Sequence, residues 1–321
     1  MKRKLVTFLA MVVAHAMACQ SAQAFPDRPI KLVVATPAGG PPDVMARLLI
    51  DRMSAVLGQP VVVENRGGAG GTIGARAVLA EKPDGYTLLM GSTSTLLIAP
   101  LIYKNAGYHA GSFAPVARVA DSTEVLAVHP SVPAKSVADL VGVAKSRPGK
   151  LNFGSAGIGT LPHIEGELLK VRAQINMNHV PYRGGGLALT DLLGGQIQVL
   201  FSTLTQMLPH IREGRLQGLA VTSAARHKLA PDIPTMVESG FDQFIMTSVS
   251  LIVAPPGTPI EIRQRLNEAI RSALVSDDVQ RSLAKMGGEA RLASPQETGA
   301  FLAEEVKRWT RVVEATRISV D

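Results

Sequence analysis

Three glycine-rich turns contain the residue types that could bind an anion. They lie at residues 37–43, 154–160 and 182–186, and each follows a predicted strand and precedes a predicted helix. Unpaired N–H groups at the start of a helix, together with the helix dipole, favour a negative charge, and glycine allows close approach to the backbone. Any one of them could be an ordinary tight turn, but the three together predict a binding site.

Backbone groups and small polar side chains in and beside these turns are the candidate ligand contacts. Asp43 has two interpretations, as a cap of the following helix or as a contact for a ligand amine or an ordered water. His163 is the histidine most worth testing, because it lies just inside the helix that follows the second turn. The candidates are Ala38, Gly39, Gly40, Asp43, Ser92, Thr93, Ser155, Ala156, Gly157, Thr160, His163, Tyr182 and Arg183.

Signatures of catalysis are incomplete. Residues 153–157 resemble a nucleophile elbow, but Phe153 stands where its first glycine is required. The sequence has no Gly-Lys-Ser/Thr phosphate loop, and its histidines lack the spacing of metal ligands. We therefore expect a binding protein with no catalytic residue, metal or organic cofactor, and a periplasmic hydrolase is only a remote alternative.

The elements that hold these turns alternate between strand and helix. Short apolar runs such as residues 30–35 read as buried strands, and Met45, Leu49 and Met53 repeat at helical spacing. The pattern restarts after Arg118, with a strand expected at 124–129. This order predicts an α/β protein with mixed sheets flanked by helices.

Two helices near the C-terminus have strong start signals. Residues 258–261 (Thr-Pro-Ile-Glu) and 294–297 (Ser-Pro-Gln-Glu) both match a capping box with proline at the first helical position. A chain that crosses between two halves near 120 and returns near 246 would form two lobes joined by two strands, which close around a ligand by hinge motion.

The N-terminus has the features of an export signal. Three basic residues precede an apolar run at 5–18, and Ala-Gln-Ala at 22–24 predicts cleavage before Phe25. The apolar run is shorter than the roughly 20 residues that a spanning helix needs. Lipidation at Cys19, the only cysteine, is the alternative. We expect a periplasmic protein that has no disulfide once the signal is removed.

The charge and composition do not favour a nucleic-acid partner. Three basic residues of the leader contribute to the formal net charge of +7, the others are scattered, and aromatic residues make up only 4% of the sequence. A nucleic-acid binder more often has a basic stripe with stacking aromatics. We expect a monomer that binds a small molecule.

A series of motifs resembles the Bug family of periplasmic solute receptors, which serve tripartite tricarboxylate transporters. The resemblance covers essentially the whole chain after the leader. The motifs are Phe-Pro-Asp-Arg-Pro-Ile at 25–30, Pro-Ala-Gly-Gly-x-x-Asp at 37–43, Asn-Arg with a glycine-rich tail from 65, Asp-Gly-Tyr-Thr-Leu-Leu at 84–89, the 154–163 stretch, Val-Pro-Tyr-Arg-Gly at 180–184, Leu-Ala-Val-Thr-Ser at 219–223 and Ala-Pro-Pro-Gly-Thr-Pro at 254–259.

The resemblance implies a two-lobed Venus flytrap fold and a function. One lobe would comprise residues 25–123 and 246–321, and the other residues 124–245. The family captures small carboxylates through backbone amides and bridging waters. We therefore expect the ligand carboxylate to lie among the N–H groups of Gly39, Gly40 and residues 155–157, with the Arg183 side chain contributing little.

Two departures from the family pattern bear on the ligand. Pro41 and Pro42 replace small hydroxyl residues and remove two N–H donors. Ser202, a further candidate contact, stands where aspartate is common. Both changes favour a plain mono- or dicarboxylate over an amino acid. The partner is expected to be a membrane permease, or alternatively a membrane histidine kinase that senses the liganded form.

Overall fold

The strands of this chain form one mixed sheet. The computed structural model describes residues 25–286 and 288–320, so the expected export signal at 1–24 and Cys19 lie outside the described residues. The strands are β1 (Ile30–Val34), β2 (Val61–Asn65), β3 (Thr87–Ser92), β4 (Ala114–Val128), β5 (Asn152–Ser155), β6 (Asn178–Pro181), β7 (Val199–Thr203), β8 (Gln217–Val221), β9 (Thr247–Ala254) and β10 (Gly288–Ala290).

Helices cover both faces of the sheet. The α-helices of the described residues are α1 (Pro41–Leu57), α2 (Thr72–Leu79), α3 (Ala99–Ile102), α4 (Val137–Ser146), α5 (Leu161–Ala173), α6 (Gly185–Leu193), α7 (Leu204–Arg212), α8 (Ile260–Leu274), α9 (Asp277–Lys285) and α10 (Pro295–Thr316). Short 3-10 turns lie at Ala69–Gly71 and Ala110–Ser112, and Thr93–Ile98 forms a π-helical turn. The α/β prediction is confirmed.

The order of the strands places β4 in the middle of the sheet. The hydrogen-bonded order is β2-β1-β3-β9-β4-β7-β5-β6, and β8 and β10 also pair with β4. The pairs of β1 with β2 and β3, and of β5 with β6 and β7, are parallel, whereas every pair that involves β4 or β9 is antiparallel. The parallel parts therefore lie on either side of a central antiparallel region.

Strand β4 runs from one part of the sheet into the other. Its residues up to Thr123 pair with β9, and from Glu124 onward it pairs with β7 and β8. The sequence predicted only the second part of this strand. The first part contains Pro115 and two register shifts against β9, so it has no regular apolar alternation from which a strand could be recognised.

Three groups of buried apolar residues hold the layers together. One packs α1 and α8 against β1, around Leu49 and Ile270. A second packs α6 and α7 against β7, around Met207. The third is continuous along the other face and includes Phe153 and Trp309. Since burial of apolar surface contributes roughly 25 cal/mol per Å², these contacts dominate the stability of the fold.

The two predicted capping boxes have different outcomes. Ser294 accepts a hydrogen bond from the Glu297 N–H at 3.2 Å and α10 starts as predicted. The prediction for Thr258 is wrong, because α8 begins at Ile260 with Pro259 as its N-cap residue. The Thr258 hydroxyl instead donates to the Pro255 carbonyl at 2.8 Å, which fixes the preceding turn.

Over 25–286 and 288–320, no helix combines the length and the hydropathy that crossing a bilayer requires.

Candidate functional site

A cleft of about 960 Å³ lies where strands of both parts of the sheet end. The ends of β3, β6 and β7 reach it, as do the turns that follow β1 and β5. This is where ligands bind in open α/β sheets, and the volume suits a small molecule. Of the predicted contacts, the cleft is lined by Ala38, Gly39, Gly40, Ser92, Ala156, Gly157, Thr160, Tyr182, Arg183 and Ser202.

Most N–H groups of the first turn already donate hydrogen bonds to acceptors within the turn. The Gly39 N–H donates to Asp43 Oδ2 at 2.8 Å, and the Gly40 N–H donates to the Pro37 carbonyl at 3.3 Å. The expectation that these two amides are free donors is therefore wrong for this structure. The Ala38 N–H makes no hydrogen bond within the described residues, so it is the donor that this turn leaves open.

Asp43 stabilises the first turn and does not line the cleft. It is 2% exposed, and besides Gly39 it accepts hydrogen bonds from Arg47 Nε at 3.1 Å and Asn65 Nδ2 at 2.9 Å. Burial opposes its ionisation, but the hydrogen bonds from Arg47, Gly39 and Asn65 outweigh burial and lower its pKa. The interpretation as a contact for a ligand amine is not supported, since its oxygens already have partners.

The second turn is closed by Ser155, which is buried behind the cleft. Its hydroxyl accepts the Gly157 N–H at 3.1 Å and lies 2.6 Å from His179 Nε2. Gly157 is therefore also occupied, contrary to the expectation. The Ala156 N–H takes part in no hydrogen bond in the described parts of the chain. Gly157 has a φ of 135°, which only glycine adopts readily.

His163 and Thr93 are structural in this arrangement and lie outside the cleft lining. His163 accepts the Gly159 N–H at 3.2 Å and stacks on His179 with ring centroids 4.0 Å apart. Burial lowers the pKa of His163 to about 4 and that of His179 to about 3, so both are neutral near pH 7. Thr93 joins the π-helical turn to β9, because its hydroxyl donates to the Thr247 carbonyl at 3.1 Å.

The third turn is the most open of the three. Helix α6 starts after Gly184 with no side-chain cap, and Gly185, Gly186 and Leu187 line the cleft. The first N–H groups of a helix have no partner inside the helix, so these are available donors at a positive dipole end. Arg183 is exposed, lines the cleft and makes no hydrogen bond or ion pair within the described residues.

The tyrosine beside this turn is held by a hydrogen bond to α6. The Tyr182 hydroxyl donates to Asp191 Oδ2 at 2.6 Å, and Asp191 lies on α6. Burial and this carboxylate raise the pKa of Tyr182 to about 12. Tyr182 is therefore an uncharged wall of the cleft that also fixes the position of α6.

Several cleft residues were not predicted as contacts. Ser94, which follows Ser92 and Thr93 after β3, lines the cleft as a hydroxyl residue that the sequence did suggest. Thr36 adjoins the first turn, and Glu124 had a signal as an acid within an apolar strand. The other lining residues that were not predicted are Thr95, Gln206 and Ser248, and the glycines Gly68, Gly70 and Gly71.

Some hydroxyl groups of the cleft already form hydrogen bonds within the protein. Ser202 donates to Gln206 Oε1 at 2.9 Å, and Ser94 accepts the N–H of Leu161 at 3.0 Å, which caps α5. Thr36 Oγ1 is buried without a partner among the described residues. Within the same residues, no three His, Cys, Asp or Glu side chains are grouped to hold a metal ion.

Comparison with known proteins shows which family this chain resembles. Residues 45–318 match the family model described as "Tripartite tricarboxylate transporter family receptor". Protein BugT of Bordetella pertussis (strain Tohama I) is 39% identical over 298 residues, which cover 92% of this chain and 91% of BugT.

Solved structures agree with this assignment. The periplasmic binding protein BugD superposes with a TM-score of 0.84 at 33% identity, over 92% of this chain and 99% of BugD. MatC from Rhodopseudomonas palustris, with bound malate, gives a TM-score of 0.84 at 32% identity, over 90% of this chain and all of MatC (100%). The fold is thus that of periplasmic binding proteins, and the chain belongs to the receptor family of tripartite tricarboxylate transporters, as its Bug-like motifs predicted.

Proposed function

We propose that this chain is an exported receptor that captures a small carboxylate in the cleft and presents it to a membrane permease. The observation that carries the proposal is the uncapped start of α6, which lines the cleft beside Arg183, a side chain with no hydrogen bond or ion pair in the described parts of the chain. A carboxylate that accepts hydrogen bonds from these N–H groups would complete the helix and balance its dipole.

Donors from elsewhere in the cleft support the same ligand. Ala38 and Ala156 each have an N–H group without a hydrogen bond among the described residues, and both line the cleft. They lie on opposite sides of β4 in the strand order. A ligand that used both would join the two parts of the sheet.

We place the boundary between two lobes at residues 123/124 and 245/246, so that residues 25–123 with 246–321 form one lobe and residues 124–245 the other. The change of pairing partner along β4 supports the first boundary. The second boundary is supported by the start of β9 at Thr247, which pairs with Thr123, the last residue before the first boundary. Ligand binding would then select the closed state, which the lobes reach by hinge motion at these two crossings.

The relatives support the class of ligand and of partner. MatC, at 32% identity, holds malate, and the matched family comprises receptors of tripartite tricarboxylate transporters. Receptors of this kind bind solutes and are not enzymes. By analogy we infer that this chain acts in the periplasm and delivers a carboxylate rather than converting it.

A thermal-shift screen tests this function. The chain from Phe25 onward is heated with mono-, di- and tricarboxylates, and with the neutral amides of the same acids as matched controls. A ligand that binds only the folded state stabilises it by RT ln(1 + [L]/Kd), or about 2.7 kcal/mol at 100 times Kd. We expect at least one acid to raise the unfolding midpoint and its amide to leave it unchanged. No shift with any acid would contradict the proposal.

A second measurement tests the expected independence from metals. Calorimetric titration of the best acid is repeated after the protein has been treated with a chelator. We expect the same affinity, because the proposed donors are backbone amides, with a small contribution from the Arg183 side chain. Loss of binding that zinc or calcium restores would mean that a metal site had been overlooked.

A further inference from the structure

Two glutamates with little exposure lie at or near the cleft. Glu124 is 3% exposed and lines the cleft, and its carboxyl group takes part in no hydrogen bond or ion pair within residues 25–286 and 288–320. Glu165 is fully buried, and neither of its carboxyl oxygens has a partner in the same residues. Buried acids are almost always paired, because removing a carboxyl group from water without new hydrogen bonds costs several kcal/mol. These two carboxyl groups therefore require an explanation.

Glu124 lies at the base of the cleft. It is the first residue of β4 that pairs with β7, opposite Thr203, and it lines the cavity. Its backbone is fixed, since its carbonyl accepts the Thr222 N–H at 3.0 Å and the Thr222 hydroxyl at 3.3 Å. In the strand order, the turn after β1 lies to one side of Glu124 and the turn after β5 to the other.

Glu165 lies on α5 and is not part of the cleft lining. Its two carboxyl oxygens have no partner among the described residues and no access to solvent. Burial raises the pKa of Glu165, and ionisation of Glu124 would raise it further. Ionisation of Glu124 would therefore oppose ionisation of Glu165.

The surroundings keep Glu124 uncharged at neutral pH. Burial raises its pKa to about 8. The neighbouring side chains of the cleft are neutral, and the histidines on α5 and β6 are neutral as well, so only Arg183 at the third turn carries a charge in the lining. The neutral neighbours in the lining are Ser94 and Thr95 of the π-helical turn, Ser202 and Thr203 of β7, Gln206 of α7 and Ser248 of β9.

We propose that Glu124 acts as an uncharged acid which donates its O–H to an oxygen at the inner end of the ligand, and that this contact makes the receptor prefer dicarboxylates. The inference rests on the proposed function, since the first carboxylate is held at α6. A protonated carboxyl group has one donor, and an O–H to carboxylate hydrogen bond is short and strong. An ionised Glu124 would repel the same oxygen.

A ligand with an ammonium group at its inner end would require the opposite state. Glu124 would then be ionised when the ligand is bound, and its negative charge would be essential. The free amides and Arg183 at the other end of the cleft are suited to a negative charge, which both ligand classes carry. Whether Glu124 is charged in the complex therefore distinguishes a dicarboxylate from a ligand with an ammonium group.

Calorimetric titration over about pH 6 to about pH 9.5 tests the proposal. The probes are linear dicarboxylates from malonate to adipate, each compared with the monocarboxylate of the same carbon number. The proteins are the wild type and Glu124→Gln, which keeps the shape and a donor but cannot ionise. Glu289→Gln, an exposed acid on β10, is the matched control.

Three results are expected. The wild type binds one dicarboxylate more tightly than its monocarboxylate, by about tenfold or more. Above about pH 8 that affinity falls, by up to about tenfold per pH unit, because the ligand selects the protonated fraction. Glu124→Gln binds the dicarboxylate more weakly than the wild type at neutral pH, by up to about tenfold, because an amide N–H is a weaker donor than a carboxylic O–H, and it loses this pH dependence, whereas Glu289→Gln keeps it.

Other results overturn the inference separately from the proposed function. Loss of binding in a folded Glu124→Gln protein, or a wild-type affinity that rises with pH, would mean that an ionised Glu124 binds a cation. A wild-type affinity that does not change with pH would also overturn it, and this readout needs no variant. If no carboxylate binds the wild type at all, the proposed function itself fails.

Discussion

At the scale of single residues, Asp43 holds the first turn in place although it lies outside the cleft lining. Asp43 was recognised as a polar residue beside a glycine turn, but its carboxylate is used by Gly39, Arg47 and Asn65. Which N–H groups are free depends on such contacts between distant residues, and a sequence pattern does not contain them. Asn65 lies 22 positions away from Asp43.

Replacement of Asp43 by alanine should destabilise the protein. The change leaves the Gly39 N–H without an acceptor and removes one of the two acceptors of the Asn65 amide, for a cost of about 1–3 kcal/mol. Asp51→Ala, at an exposed position of the same helix, is the matched control and should change stability by less than about 0.5 kcal/mol. Urea denaturation of the two variants measures the difference.

The pH dependence of this effect has a defined sign. The folded-state pKa of Asp43 is lowered, so its contribution is fully present above its unfolded pKa, near 4, and disappears as the pH falls through the folded value. The difference between wild type and Asp43→Ala should therefore shrink in acid. An undiminished difference at low pH would contradict this account of the turn.

At the scale of elements, regular helices and buried parallel strands were predictable, and the crossing strand was not. The apolar faces of α1 and the capping box of α10 are local signals, and both are confirmed. The first half of β4 is a strand because it pairs with β9, which is more than 120 residues away in the chain. Local propensity cannot reveal such a pairing.

Two helical glycines give opposite expectations for the same substitution. A Cβ on Gly166 of α5 would lie 2.2 Å from the Phe153 ring, so Gly166→Ala should destabilise by about 1–3 kcal/mol. Gly142 of α4 has no atom within 4 Å of such a Cβ, and Gly142→Ala should stabilise by about 0.5–1 kcal/mol. Chemical denaturation measures both effects, and equal effects would mean that Gly166 of α5 does not lie against the Phe153 ring of β5.

At the scale of the whole molecule, the family resemblance predicted the fold, and the motifs that carried it are spread over the chain. The lobes remain a proposal based on the change of pairing partner along β4, from β9 to β7 and β8. If ligand binding selects a closed state, the radius of gyration should fall when the carboxylate saturates the protein. Small-angle X-ray scattering with and without ligand measures this, with the neutral amide as control. An unchanged radius at saturation would contradict hinge closure.

The most direct test of the central claim concerns the donors at the start of α6. Gly185→Pro removes one N–H at the first helical position, where proline is tolerated, whereas Gly185→Ala keeps the N–H. A Cβ there would approach only Gln206 Oε1, at 3.7 Å. Calorimetry with the acid that gives the largest thermal shift should find binding weakened about tenfold or more in the proline variant, and within about threefold of wild type in the alanine variant. Equal affinity in the two folded variants would contradict carboxylate capture by these amides.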